Sequence, residues 1–151
     1  MVRILIAILC VSCAVTFAEE DDHDHDMVAA AGEHDTDAAQ AFDGPRETAG
    51  VQVAAVGAVA LTEVAELSDR QVRVREITIQ PGGRVAVHEH KDRPGLAYIL
   101  SGEAVEHRAG VDGERVFGPG RVAFEQDGVV HWWENRTDEP VRALVVDIVP
   151  Q

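Results

Sequence analysis

Residues 88–102 read HEHKDRPGLAYILSG. His88 and His90 stand one residue apart at the end of an alternating run, RVAVHEH (84–90). In a β-strand, residues two apart project from the same face, so the two imidazoles point together and Glu89 points away. They lie about 6–7 Å apart along the strand, within side-chain reach of one metal ion. GLAYILSG reads as a further strand closed by Gly102. A lone His-x-His is a weak signal, because such a pair is often only a polar strand face. Its meaning depends on the chain around it.

Upstream, RQVRVREITIQ (70–80) alternates, with Val72, Val74, Ile77 and Ile79 separated by polar residues, as in a half-buried strand. PGG (81–83) reads as a turn. Downstream, EAVEHR, ERVFG, RVAFE, HWWEN and VRALVVDIVP are short extended runs separated by Gly-, Pro- and Asp-containing turns. This spacing predicts an all-β sandwich or barrel. Residues 51–65 fit a strand or a short helix, and periodicity does not choose between them.

A third histidine, His131, lies in GRVAFEQDGVVHWWEN (120–135). Around the histidines the spacing is regular. Gly82 is followed after five residues by His88, Glu89 and His90, and then by Gly102. Gly120 is followed after five residues by Gln126, Asp127 and Gly128, after two more by His131, and after three more by Asn135. This pattern resembles the paired motifs of the cupin superfamily, with Gln126 in place of a proline. The likeness covers residues 72–149. It implies a double-stranded β-helix, a jelly-roll barrel, and a divalent metal (Fe, Zn, Mn or Ni) held by His88, His90 and His131. One departure stands out: with six residues between it and Gly102, where the family has a glutamate ligand, this chain has Gly95.

Three readings of that departure remain open. In the first, three histidines hold the metal alone, as in some cupin dioxygenases, and Gly95 opens the cavity to a larger ligand. In the second, Asp92 on the KDRPG loop supplies a fourth ligand. In the third, the barrel has lost its metal and the histidines line or brace its interior. Strand parity then nominates Gly95, Ala97, Ile99, Val122, Phe124 and Trp133 as lining a pocket that is apolar apart from the histidines, as small-ligand sites usually are. Trp132 faces the other way and is assigned to packing. Arg84 and Arg93 lie near the mouth and are assigned to surface charge. His107 is read as an edge residue that could pair with Glu103 or Glu106.

The N-terminus has a different texture. Arg3 precedes an apolar run from Ile4 to Phe17, and Thr16 and Ala18 are small residues ahead of Glu19. This reads as a signal peptide over 1–18, too short in its apolar part to span a bilayer. Both cysteines, Cys10 and Cys13, fall inside it, so a mature chain has neither disulfides nor thiolate ligands. Residues 19–50 are assigned to an acidic disordered linker, since they contain few large apolar groups. The tract DDHDHD could hold Zn, Ni or Cu loosely, but it reads first as a solvated spacer. The net charge is -14, and residues 19–43 hold ten acids and no Lys or Arg. No basic patch is present, which argues against nucleic acid as a partner.

These features predict a secreted protein, periplasmic in a Gram-negative host, with a cupin domain over 51–151. It would bind a divalent metal and a small organic ligand and could act as a non-haem metal dioxygenase. The alternative is a non-catalytic ligand-binding barrel, or a structural one without metal. A homodimer formed through VRALVVDIV is a further expectation.

Overall fold

The computed structural model describes residues 37–151. The apolar N-terminal run, both cysteines and the DDHDHD tract lie outside the described residues. Within them the chain forms a short helix, α1 (Asp37–Ala41), a 3-10 turn (Ala65–Leu67) and the strands β1 (Ala49–Ala60), β2 (Arg70–Glu89), β3 (Gly95–Ser101), β4 (Ala104–Arg108), β5 (Arg115–Phe117), β6 (Val122–Glu125), β7 (Val130–Glu134) and β8 (Val141–Pro150). The strands pair antiparallel in the order β5-β4-β7-β2-β8-β3-β6, with β1 on the free side of β2. The result is a nearly closed all-β barrel of the jelly-roll kind.

The long strand β2 joins the two faces. Its first half pairs with β1 and β8, and its second half pairs with β7. The expected turn at Pro81–Gly83 is instead a bend within a continuous strand. Gly82 takes φ +71°, a left-handed conformation that glycine adopts without strain. Asn135 holds the bend from the opposite strand: its carbonyl accepts from Gly82 N at 2.9 Å, and its N–H donates to Gly83 O at 3.0 Å.

Directly opposed residues on neighbouring strands share a face. Register therefore assembles the interior in layers. Arg73 (β2), Asp147 (β8), Gly95 (β3) and Glu125 (β6) form one row, and Arg75, Val145, Ala97 and Ala123 form the next. Below them Ile77, Ala143 and Ile99 begin an apolar layer, joined by Ile79, Ala104, Phe117, Trp133 and Val141. The barrel is thus apolar at one end and densely charged at the other.

Three expectations can be set against these strands. Residues 51–60 belong to a strand, β1, which begins at Ala49. Part of the span assigned to a linker is also tied to the barrel. Ala39 of α1 is buried, Val87 N donates to Pro45 O, and Ala86 N donates to the Thr48 hydroxyl. Gly44 approaches Trp132 so closely that a Cβ there would lie 2.6 Å from the indole. Finally, β8 cannot offer a free edge for a dimer, because β2 and β3 pair with it on both sides. Among the described residues β1, β5 and β6 each pair on one side only, and on β1 Val56 and Val59 are exposed. No helix among the described residues is long and apolar enough to cross a membrane.

Candidate metal centre

The bend in β2 aims its C-terminal end at β7. His88 lies directly opposite His131, and His90 follows β2, anchored by its N–H to Val129 O at 2.8 Å. The three imidazoles converge. Nε2 of His90 is 3.2 Å from that of His88 and 3.0 Å from that of His131, and the third side of the triangle is 3.1 Å. His90 and His131 are buried, and His88 is half-buried.

Each Nδ1 faces an oxygen that can only accept. His88 Nδ1 donates to Ala86 O at 2.9 Å, His90 Nδ1 to Arg93 O at 3.1 Å, and His131 Nδ1 to Glu106 Oε1 at 2.7 Å. In a neutral ring this assigns the single proton to Nδ1 and leaves Nε2 as a bare lone pair. Three such lone pairs face one another, and none has a hydrogen to share. Protonation does not resolve the conflict. Burial, reinforced by neighbouring positive charge, lowers the pKa of His88 to about 3, of His90 to about 2 and of His131 to about 3. A cation capping the triangle of nitrogens does resolve it. Two nitrogens each about 2.1 Å from a common ion are about 3 Å apart when their bonds meet near a right angle, which matches the observed separations.

A buried carboxylate completes the surroundings. Glu125 Oε2 is 3.5 Å from His90 Nε2, and Oε1 is 3.8 Å from His131 Nε2. Oε2 is buried without a hydrogen-bond partner. Burial pushes the Glu125 pKa up to about 7. The charges of Glu106 and Asp147 add to this, and Arg93 and Arg75 oppose it. An orphaned, buried oxygen beside two bare imidazole nitrogens is a further sign of a cation site. Behind His131, Glu106 is fully buried and also accepts from Arg108 at 2.6 Å and Arg115 at 2.8 Å. Carboxylate–histidine pairs of this kind fix the tautomer and orientation of a metal ligand.

The histidines named from the sequence are therefore the ones brought together. Asp92 is not with them. It is an exposed loop residue at φ +53° whose N–H donates to Asp127 Oδ1. Ala97, Ile99 and Trp133 face inward as expected, and the Trp133 ring packs 5.7 Å from that of His131. Val122 and Phe124 do not, since Ala123 and Glu125 occupy the inner face of β6 and Phe124 is 62% exposed. Gly95 opens no space. A Cβ there would lie 2.6 Å from Val146 O and 2.9 Å from Asp147 Cβ, so its missing side chain admits the backbone of β8. His107 pairs with Glu134 at 2.8 Å and stacks on Trp132 at 3.7 Å, rather than meeting Glu103 or Glu106. Of the two arginines, Arg84 is exposed and Arg93 reaches the site.

Sequence reasoning missed Glu125, Glu106 and Asp147. For Glu125 a signal existed: in RVAFE the small Ala123 and the acid alternate with Val122 and Phe124, and the bulkier pair suggested the wrong inner face.

The family model described as "Cupin domain" matches residues 75–147. Among solved structures, one described as a predicted oxalate decarboxylase from Thermotoga maritima is 27% identical, with a TM-score of 0.55, covering 72% of this chain and 89% of its own. A Thermus thermophilus protein is 25% identical, with a TM-score of 0.51 and coverage of 76% and 95%. The polyketide cyclase RemF from Streptomyces resistomycificus, at 20% identity, a TM-score of 0.55 and coverage of 71% and 70%, supports the fold alone. No curated protein matches the chain.

Proposed function

We propose that this chain, which belongs to the cupin superfamily, holds one divalent metal ion on His88, His90 and His131, with Glu125 as the acidic fourth donor, and uses it to bind and transform a small organic ligand. The observation that carries this reading is the set of three unprotonated Nε2 atoms within 3.2 Å of one another. The Glu125 carboxylate stands where the acid absent at position 95 is replaced from the adjoining strand, because Gly95 and Glu125 are direct partners in register.

A bound ion of this kind supplies Lewis acidity and open coordination positions. The chain's own residues do the rest. Glu106 and the carbonyls of Ala86 and Arg93 orient the three rings. Ile99 and Trp133 form a dry floor beneath them. Glu125 brings a buried negative charge beside His90 and His131 to offset that of the ion. Three nitrogens and one carboxylate suit Mn, Fe, Ni or Zn. Export to an extracytoplasmic compartment is part of the proposal and is supported by the composition of residues 1–18.

The test is elemental analysis of the full chain purified without a tag or chelator, with His23→Ala/His25→Ala as background to remove any contribution of the acidic tract. Near-stoichiometric metal that is lost in His88→Ala and His131→Ala is the expected result. Iron would direct assays to oxidation by dioxygen, and manganese, nickel or zinc to non-oxidative chemistry. No metal after reconstitution with each of the four ions would overturn the reading.

A further inference from the structure

The charged end of the barrel holds an imbalance that the histidines do not use. Asp147 is fully buried and faces three guanidinium groups. Arg73 engages it with two hydrogen bonds, Nε to Oδ1 at 3.1 Å and NH2 to Oδ2 at 2.8 Å. Arg75 gives it a single bond, NH2 to Oδ2 at 2.9 Å, and the Arg75 Nε is buried with no partner. Arg93 NH1 stops at 3.6 Å, beyond hydrogen-bond distance. Three guanidinium groups thus face Asp147 and, less closely, Glu125, whose charge acts on Arg75 and Arg93, and the Arg75 Nε keeps an unused donor.

The positions of these groups matter as much as their number. Arg73 and Asp147 share the inward row that ends at Glu125, and Arg75 occupies the next row. Arg93 belongs to the segment whose carbonyl orients His90. The side chains of Arg75 and Arg93 are 14% and 20% exposed, whereas that of Asp147 is fully buried. This cationic surplus sits inside a chain whose net charge is -14. Buried charge is costly unless it is paired, and the fork of an arginine matches a carboxylate in two-point geometry.

We infer that Arg75 and Arg93 form an anion subsite beside the histidine triad and receive the carboxylate of a small organic acid. The ligand class is a short carboxylic acid with a second oxygen donor, such as a dicarboxylate or a 2-oxo acid. One end meets the guanidinium pair and the other faces the triad. The inference deepens the proposed function and rests on it for the second end only, because the arginine subsite is built without the metal.

Calorimetric titration of the full chain with oxalate, acetate, acetamide and inorganic phosphate tests it, run once with chelator and once after metal loading, with metal content measured on the same samples. Binding of oxalate and acetate but not of neutral acetamide is expected. Arg93→Gln and Arg75→Gln should each weaken oxalate by roughly tenfold or more. Arg75→Lys and Arg93→Lys keep the charge but lose the fork, and should show intermediate losses in folded protein. Arg84→Gln, at an exposed site on the same strand, should change nothing. Oxalate affinity unchanged in Arg93→Gln and Arg75→Gln, acetamide binding as well as acetate, or phosphate binding tighter than either carboxylate would overturn the assignment. Arginine-dependent oxalate binding in protein that takes up no metal would sink the metal proposal and leave this one standing. Full metal loading with arginine-independent oxalate binding would do the reverse.

Discussion

Replacing Glu125 with glutamine should make the metal-free protein more stable and the metal-binding protein weaker, and both signs follow from the same geometry. The carboxyl group is buried, and its pKa rises from the ordinary 4.5 to about 7. A group whose folded pKa is raised supplies its stability in full below the unfolded pKa and loses it as pH rises through the folded one. At about 1.4 kcal/mol per pH unit, the wild-type protein gives up about 3 kcal/mol between pH 4.5 and 7 through this group alone. Glutamine is neutral throughout and has nearly the same shape. In the presence of chelator, Glu125→Gln should match wild type at about pH 4.5 and exceed it by about 3 kcal/mol at about pH 8. The histidines also affect the pH profile. Their lowered folded pKa values give stability that is complete above pH 6.5 and declines as pH falls, but this part cancels in the difference between the two proteins. Urea unfolding at the two pH values measures that difference. Competition against a chromophoric chelator measures metal affinity, which should fall by roughly tenfold or more in the variant. A variant less stable than wild type at the higher pH without metal would show that Arg93 and Arg75 hold the carboxylate ionised, and the reasoning would fail.

Gly95→Ala should cost about 1–3 kcal/mol, because the new methyl meets backbone atoms of β8 that cannot move independently; an unchanged melting temperature would contradict that close approach. Glu106→Gln removes a charge that answers His131, Arg108 and Arg115 together, so metal affinity should drop by about 10–100-fold and urea should show a loss of about 3 kcal/mol. Asn135→Ala breaks side-chain bonds to Ile79 O, Glu139 O, Thr137 N and the Thr137 hydroxyl; a loss of about 2–4 kcal/mol is expected by thermal or urea unfolding, and a loss under about 1 kcal/mol would contradict the weight given to these buried side-chain bonds.

The barrel and its three histidines were legible because both depend on short periods. Alternation exposes strands, and a His-x-His pair on a strand must share a face. His131 required the second motif. What escaped was everything fixed by register between strands far apart in the chain. Nothing near Gly95 in sequence announces that Glu125 lies across from it, or that Asp147 flanks it on the other side. Proximity in sequence therefore favoured Asp92, three residues away, when the acid was thirty residues downstream. The same limit applied to β8, whose apolar alternation fits an edge strand and a doubly paired one equally well. In β6 the periodicity was correct and only the choice of face failed, since bulk usually marks the inside and here marks the outside.

The barrel has a seam. The sheet order begins with β5 and ends with β6, and no ladder is formed between them among the described residues. A stitch across the gap from β4 is the Arg108 guanidinium donating to Phe124 O at 2.9 Å. A family glutamate on β3 would leave this seam untouched, because β3 is already laddered on both sides. Glu125 lies on β6, a strand of four residues paired only with β3 among the described residues. An ion shared by His90, His131 and Glu125 would clasp that loose stave to β2 and β7. Moving the acid by one strand would turn such an ion from a passenger inside the barrel into a hoop around it. Amide exchange in β6 should then slow on metal loading while β8 stays as it was.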